Sequence, residues 1–581
     1  MHARRKTPVV AVAALLVAAA VAPACGARTG MDTRVFVLVD GGATAEYSGT
    51  GGSGGTGPDG GAGAAGAGPT LTTARPIAPL STSTVTSQTP TLRWELPAGA
   101  DGAFVELCAD RACSQGIDSF TVAGTSGKPS QPLSPGVVFW RLTATTAGVK
   151  AKVTSPVWQM KIGHRSAPID TSWGTTPDVD GDGFADILVG APGIFPATGE
   201  VYVYRGGPAG PASKPTLVVP NPGFGTGFGS ALASAGDVDG DGFADVVIAG
   251  VGEKNAGAVW LYRGGEAGLS TTPTLALHGE AIGDAFGISV SSVGDVNGDG
   301  YADVVVGQLE AIKGPGRAFV FHGGPSGLAD TPSATLVGPV KDSAFGGAVA
   351  GAGDVNGDGF GDLIVGAYLG TTGAGEATVF LGGPHDLEPA PTWIGGTLDD
   401  KFGVSVACAG DIDGDGLSDV VVGAFQTQVG PGLAYVFRGS ATSLGTTPST
   451  TLTGTKPGDA FGLAVDGAGD VDGDGYSDLL VGAGALGNTG AAYVYRGSPA
   501  GLIATPATTL IGNSNIFGDS LAGAGDLDGD GFDDVLIGNE HEAGYTGAVY
   551  GYRGGKGGLM TSPAFVLPGL HAQAGAATAL D

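Results

Sequence analysis

The pattern D-x-[DN]-G-D-G-x-x-D occurs seven times in this chain, beginning at Asp178, Asp237, Asp295, Asp354, Asp411, Asp470 and Asp526. Successive copies lie 59, 58, 59, 57, 59 and 56 residues apart. Such regular spacing means a repeat architecture, in which each unit buries its faces against its neighbours. The units share more than this loop. Six carry Phe-Gly nine residues before the first aspartate, at Phe228, Phe286, Phe345, Phe402, Phe461 and Phe517. After each loop comes an apolar run such as DVVIAG or DLIVGA, then an alternating aromatic run such as GEVYVYRGG, then a fourth run such as TPTLALHG. Four short strands per unit describe a propeller blade. The expected fold is all-β: a seven-bladed β-propeller over residues 164–581, with the phenylalanine wedged between blades and its glycine allowing close backbone approach.

The repeated loops read as calcium sites. Calcium takes about six to eight oxygen ligands, and alternate residues of such a loop converge on one point. The first loop offers Asp178, Asp180, Asp182 and Asp186 through carboxylates and Phe184 through its carbonyl. The second offers Asp237, Asp239, Asp241, Phe243 and Asp245; the third Asp295, Asn297, Asp299, Tyr301 and Asp303; the fourth Asp354, Asn356, Asp358, Phe360 and Asp362. The fifth offers Asp411, Asp413, Asp415, Leu417 and Asp419; the sixth Asp470, Asp472, Asp474, Tyr476 and Asp478; the seventh Asp526, Asp528, Asp530, Phe532 and Asp534. Gly181 and Gly183 permit the sharp turn. The first six positions match the start of an EF-hand loop. An EF-hand needs a helix next, whereas the residues here are β-branched and continue as a strand. Magnesium keeps several waters, so calcium suits an all-protein cage better. Up to seven structural calcium ions are expected.

Net charge follows from the same loops. Of 56 acidic residues, 26 occupy loop ligand positions, and the other 30 nearly balance 27 basic residues. A net charge of −29 excludes nucleic acid and anionic lipid surfaces as partners. The seven histidines form no metal-spaced pair, and there is no P-loop or HExxH motif. The chain is therefore expected not to be an enzyme.

Ahead of the repeats the composition changes three times. Arg4, Arg5 and Lys6 precede an apolar run from Val9 to Ala22, then Ala22-Pro23-Ala24 and Cys25. This reads as a signal peptide over residues 1–24, too short to span a membrane. It resembles a bacterial lipoprotein signal with Cys25 as the lipidated residue, although Ala22 stands where that motif has leucine. Residues 25–73 are a Gly/Ala-rich tether, whose Gly41–Pro69 stretch has a reach of roughly 30 Å. Residues 74–163 carry strand-like runs at 91–96, 104–108, 137–143 and 157–162, with Trp94, Trp140 and Trp158 as core. TLRWELP and LSPGVVFWRLTA resemble strands of fibronectin type III domains, which implies a small β-sandwich acting as a spacer or a binding module, the spacer being favoured. Cys108 and Cys113 are expected to form a disulfide after export, and Cys408 to be a buried, inert thiol.

With Gly190-Ala191-Pro192 added to the Phe-Gly elements, the repeats resemble the FG-GAP repeats of the integrin alpha propeller. The resemblance implies an exported, envelope-held adhesion or ligand-binding scaffold, monomeric, whose ligand face lies opposite the calcium loops. The expected partner is a cell-surface or matrix protein or a polysaccharide; a membrane enters only through the lipid anchor at Cys25. A polysaccharide-active or lectin-like propeller and a purely structural envelope protein are the alternatives. No D-x-S-x-S motif, inserted domain or Arg-Gly-Asp occurs. The first unit has Ile169-Asp170 in place of Phe-Gly, and the C-terminal stretch Ala574–Leu580 is expected to supply its missing strand.

Overall fold

A computed structural model describes residues 73–569, apart from 175–176, 193–198, 224–226, 252–255, 282, 310–313, 372, 385–386, 397–399, 426–429, 443, 485–488, 514–515 and 540–546. The signal, Cys25, the tether and the stretch Ala574–Leu580 lie outside the described residues. Those described form strands and turns, with no helix among them.

The first domain has two sheets. One holds Arg75–Ala78, Leu92–Glu95 and Ser126–Gly127. The other holds Thr84–Val85, Gly102–Cys108, Gly116–Ala123, Gly136–Thr146, Val149–Thr154 and Trp158–Ile162. Trp94, Trp140 and Trp158 are fully buried between them, the last two edge to face at 5.9 Å. Cys108 and Cys113 are disulfide-bonded, closing a tight loop around Arg111. The boundary expected at residue 163 moves: Ser172–Trp173 pairs with Thr84–Val85 and joins the larger sheet. That pairing draws residues 169–173 away from the ring. Asp170 accepts the Thr91 amide and hydroxyl and pairs with Lys128. Ile169-Asp170 is thus a connector and not a counterpart of Phe-Gly.

Seven sheets follow in chain order. Among the described residues the first has three strands, Ile187–Ala191, Glu200–Tyr204 and Leu217–Pro220. Each of the other six has four, as in Phe228–Gly236, Asp245–Gly250, Ala258–Tyr262 and Leu275–His278, paired as an antiparallel meander. The second strand is buried on both faces in these six sheets, which is why runs such as DVVIAG are continuously apolar. The outermost strand alternates because one face meets solvent.

Neighbouring sheets are tied by a recurring pair of backbone hydrogen bonds. Ala244 and Gly265 donate to the Asp178 and Val179 carbonyls at 3.1 and 2.9 Å, and the pattern repeats sheet by sheet. Its last copy runs from Ala185 to Asp526 and from Gly207 to Leu527, at 3.3 and 3.2 Å, joining the last sheet to the first. Ile187, Val189 and Tyr204 share a buried cluster with Leu527, Leu536 and Val549 across the same junction. The described residues therefore close the ring with the three strands described for its first sheet.

The six Phe-Gly phenylalanines are buried, and five pack against an aromatic side chain of their own sheet, as Phe228 does on Trp260 at 5.4 Å. Their backbone meets the preceding sheet: the Phe286 amide donates to the Ala256 carbonyl at 3.0 Å. A Cβ on Gly257 would lie 2.0 Å from the Phe286 carbonyl oxygen, so only glycine lets the two sheets close. Cys408 departs from its expectation. It is half-buried and borders a cavity of about 290 Å³ between the ring and the sandwich, because small inner-strand residues leave space there.

Candidate metal loops

Each aspartate loop joins the first and second strand positions of its sheet, and its backbone organises its carboxylates. The last aspartate accepts two amides, one from the loop's second residue and one from the glycine after the third strand. For Asp245 these are Val238 at 3.1 Å and Gly264 at 3.0 Å, and all seven loops repeat the arrangement. The fifth residue accepts the amide of the seventh, as Asp241 does from Phe243 at 3.0 Å. The seventh residue's side chain rests on the preceding loop, Phe243 against Gly181 and Phe184 against Gly529 across the ring junction.

The carboxylates converge. Asp178, Asp180 and Asp186 bring oxygens within 4.8 Å of one another, as do Asp237, Asp239 and Asp245. The same holds for Asp411, Asp413 and Asp415, for Asp470, Asp472 and Asp474, and for Asp526, Asp528 and Asp530. The two loops with asparagine form no such three-carboxylate group among the described residues. Burial, reinforced by neighbouring carboxylates, pushes Asp186, Asp237 and Asp470 up to about 7 and Asp419 and Asp534 up to about 8. The same causes, burial first, hold Asp303 and Asp362 well above the carboxylate range. In the fifth loop Asp413 Oδ1 is buried without a hydrogen-bond partner. Clustered, desolvated oxygen donors of this kind fit a hard cation, and these groups can hold metal ions.

One set of residues escaped the sequence reading. An arginine following the third strand pairs with the third loop residue: Arg205 with Asp180 at 2.8 Å, Arg438 with Asp413 at 2.7 Å, Arg496 with Asp472 at 2.8 Å, and Arg553 with Asp528 at 2.6 Å. Arg263 pairs with Asp239 in the same way. Each of these arginines also donates to a carbonyl of the next sheet, as Arg496 does to Gly557 at 2.9 Å and Arg553 to Ala209 at 3.2 Å. The signal was present in the sequence. Where the third loop residue is Asn297 or Asn356, the arginine position holds His322 or Leu381. There the carboxamide donates to the fifth-position carboxylate, Asp299 at 3.2 Å and Asp358 at 3.0 Å.

The sandwich does not stand off as a spacer would. It and the connector lie on the loop face of the ring and touch all seven loops. The contact falls on the second loop glycine each time: Gly183 meets His164, Gly242 meets Phe139, Gly300 meets Val157, and Gly359 meets Ile77. Gly416, Gly475 and Gly531 meet Arg93, Ile169 and Arg165. Arg111, held in the disulfide loop, donates to the Gly300 carbonyl at 2.7 Å and lies 3.8 Å from the Tyr301 ring centre. Arg75 and Arg165 cover Phe360 and Phe532. A basic surface thus meets an acidic one.

Comparison with known proteins bears on the repeats. The FG-GAP-like repeat family model matches residues 178–248, 237–306 and 411–481, and the FG-GAP repeat model matches 345–380 and 517–552. Mouse integrin alpha-IIb is 34% identical over 225 residues, covering 35% of this chain and 21% of that one. Integrin alpha-5 of Xenopus laevis is 34% identical over 230 residues, covering 37% and 21%. The chain thus spans about a fifth of the length of these relatives. Among solved structures, the Dos1 propeller aligns with 57% of this chain and 72% of its own at 10% identity, with a TM-score of 0.33. The chain carries FG-GAP repeats, and its ring is an all-β, integrin-alpha-like propeller.

Proposed function

We propose that this chain is a calcium-stabilised, exported, surface-held binding scaffold whose ligand face is the ring end opposite the aspartate loops. The observation that carries this reading is the docked sandwich. It covers the loop face at all seven loops, leaving the opposite end for a partner. Calcium is the favoured cation because the donors are hard oxygens in a protein cage, and its role is to hold the loops together. The function is adhesion or ligand binding to a surface protein or polysaccharide, without catalysis. No helix among the described residues is long and apolar enough to cross a membrane. Surface retention in this reading is through a lipid anchor at Cys25.

The test is retention of the full chain on a panel of purified polysaccharides and matrix proteins, in calcium and in chelator, with a reducing-end assay on each polysaccharide. Retention in calcium without new ends supports the scaffold. New reducing ends replace it with a polysaccharide-active enzyme. No retention under either condition leaves a purely structural envelope role.

A further inference from the structure

Six of the seven loops share one electrostatic plan, and the first does not. In the second, fifth, sixth and seventh loops, four carboxylates and one guanidinium leave the donor set at −3. In the third and fourth, three carboxylates without the arginine leave the same −3. The first loop has four carboxylates and Arg205, but Lys161 of the sandwich also reaches it. The Lys161 ammonium lies 3.2 Å from Asp178 Oδ2, with 12% of the lysine side chain and 5% of the aspartate exposed. Among the described residues it is the one ammonium or guanidinium in contact with a first-position aspartate. The other sandwich arginines on this face land on carbonyls and rings, and Arg111, Arg93 and Arg75 act on Asp237, Asp415 and Asp358 only from beyond ion-pair distance. His164 lies 3.7 Å from Asp526, whose two oxygens keep their amide partners.

The first aspartate responds to this contact. In the other six loops both of its oxygens accept loop amides, as Asp237 Oδ1 does from Gly240 and Asp241 and Oδ2 from Gly242. Asp178 keeps the Gly183 amide on Oδ2, while its buried Oδ1 has no partner. Lys161 is no flexible surface residue. It sits in Trp158–Ile162, paired to Thr84, and its amide donates to the Ser83 carbonyl at 2.9 Å. The ammonium is delivered by a strand packed against the ring.

We propose that Lys161 is a built-in cation for the first loop, so that the docked chain holds up to six divalent ions and excludes a seventh there. A divalent ion entering that loop would face an ammonium on its first ligand and the Arg205 guanidinium on its third, repulsions that are strong at partly buried sites. Lys161 thereby couples the sandwich to the ring: the sandwich must leave, or lose this side chain, before the loop accepts a divalent ion.

The proposal rests on the reading of the other loops as calcium sites, and counting bound calcium separates the two. Calcium per full-length chain is measured by native mass spectrometry and elemental analysis after removal of free ion. Wild type is expected to hold six and Lys161→Met seven, while Lys161→Arg stays at six. Asp178→Asn leaves six unchanged, whereas Asp237→Asn drops the count to five. The Asp178 comparison needs no variant of the sandwich, so it stands even if Lys161→Met fails to fold. Seven ions in wild type, or loss of one ion in Asp178→Asn, overturns the proposal. No calcium on any variant overturns it together with the calcium reading itself.

Discussion

Two groups of loops share one backbone plan and differ in their charged parts. Loops 1, 2, 5, 6 and 7 hold four aspartates with an arginine on the third residue. Loops 3 and 4 hold three aspartates and an asparagine, with His322 or Leu381 in the arginine's place. The aspartate and arginine come and go together. A partly buried carboxylate left without its countercharge costs more than the pair contributes, so either member alone is the unfavourable state. The five arginines also each donate a hydrogen bond to the next sheet.

The largest test of the comparison is removal of calcium, which should affect both groups. A site filled at a hundredfold excess over its Kd contributes about 2.7 kcal/mol. At about 2–4 °C per kcal/mol, chelation should lower the melting temperature by roughly 10 °C or more, and superimposable melts with and without chelator would remove the calcium sites from the account. The next effect is on pH. Burial pushes Asp237 and Asp470 up to about 7 and Asp419 and Asp534 up to about 8 in the cation-free fold, above the unfolded value of about 3.9. Their protonated forms favour folding, a contribution complete below about pH 4 and lost as pH rises through about 7–8. Cation-free protein should therefore be least stable near pH 8, where calcium makes its largest difference. The melting shift between calcium and chelator should shrink by more than half from pH 8 to pH 5. A shift independent of pH would mean these carboxylates are not the ligands.

The pairing itself can be broken from either side. Arg496→Leu should destabilise cation-free protein by about 1–3 kcal/mol, less than a fully buried pair because Arg496 is one-third exposed. Adding Asp472→Asn converts the sixth loop to the asparagine type and should recover all but the lost Gly557 hydrogen bond, about 1 kcal/mol. Additive losses in this double-mutant cycle, measured by denaturant unfolding in chelator, would show the two residues to be independent. The mirror experiment is the smallest. Asn297→Asp should destabilise cation-free protein by about 1 kcal/mol, and His322→Arg alongside it should restore stability. No recovery would confine the rule to the five loops that already obey it.

Much of this molecule was legible in its chain. Seven copies of one loop at near-equal spacing, each followed by the same three strand patterns, determined an all-β ring and the loop carboxylates, because periodicity and turn chemistry are local properties. Trp94, Trp140 and Trp158 likewise marked a second core. The arginine pairing was present as a correlation among repeats, but its meaning depended on the fold. Arg496 and Asp472 lie on different strand connections, and only the meander brings them to 2.8 Å. Tertiary structure alone decided the rest. It drew residues 169–173 into the sandwich, tied the last sheet to the first, and set the sandwich on the loops. Sequence gave the second loop glycine one task, turning the chain; its positive φ, 97° at Gly183 and 98° at Gly242, agrees. The fold added a second, admitting a neighbouring domain at the same points. Lys161 looked like any surface charge for the same reason: docking between domains leaves no period in the chain, and what a side chain meets there depends on residues far from it in sequence.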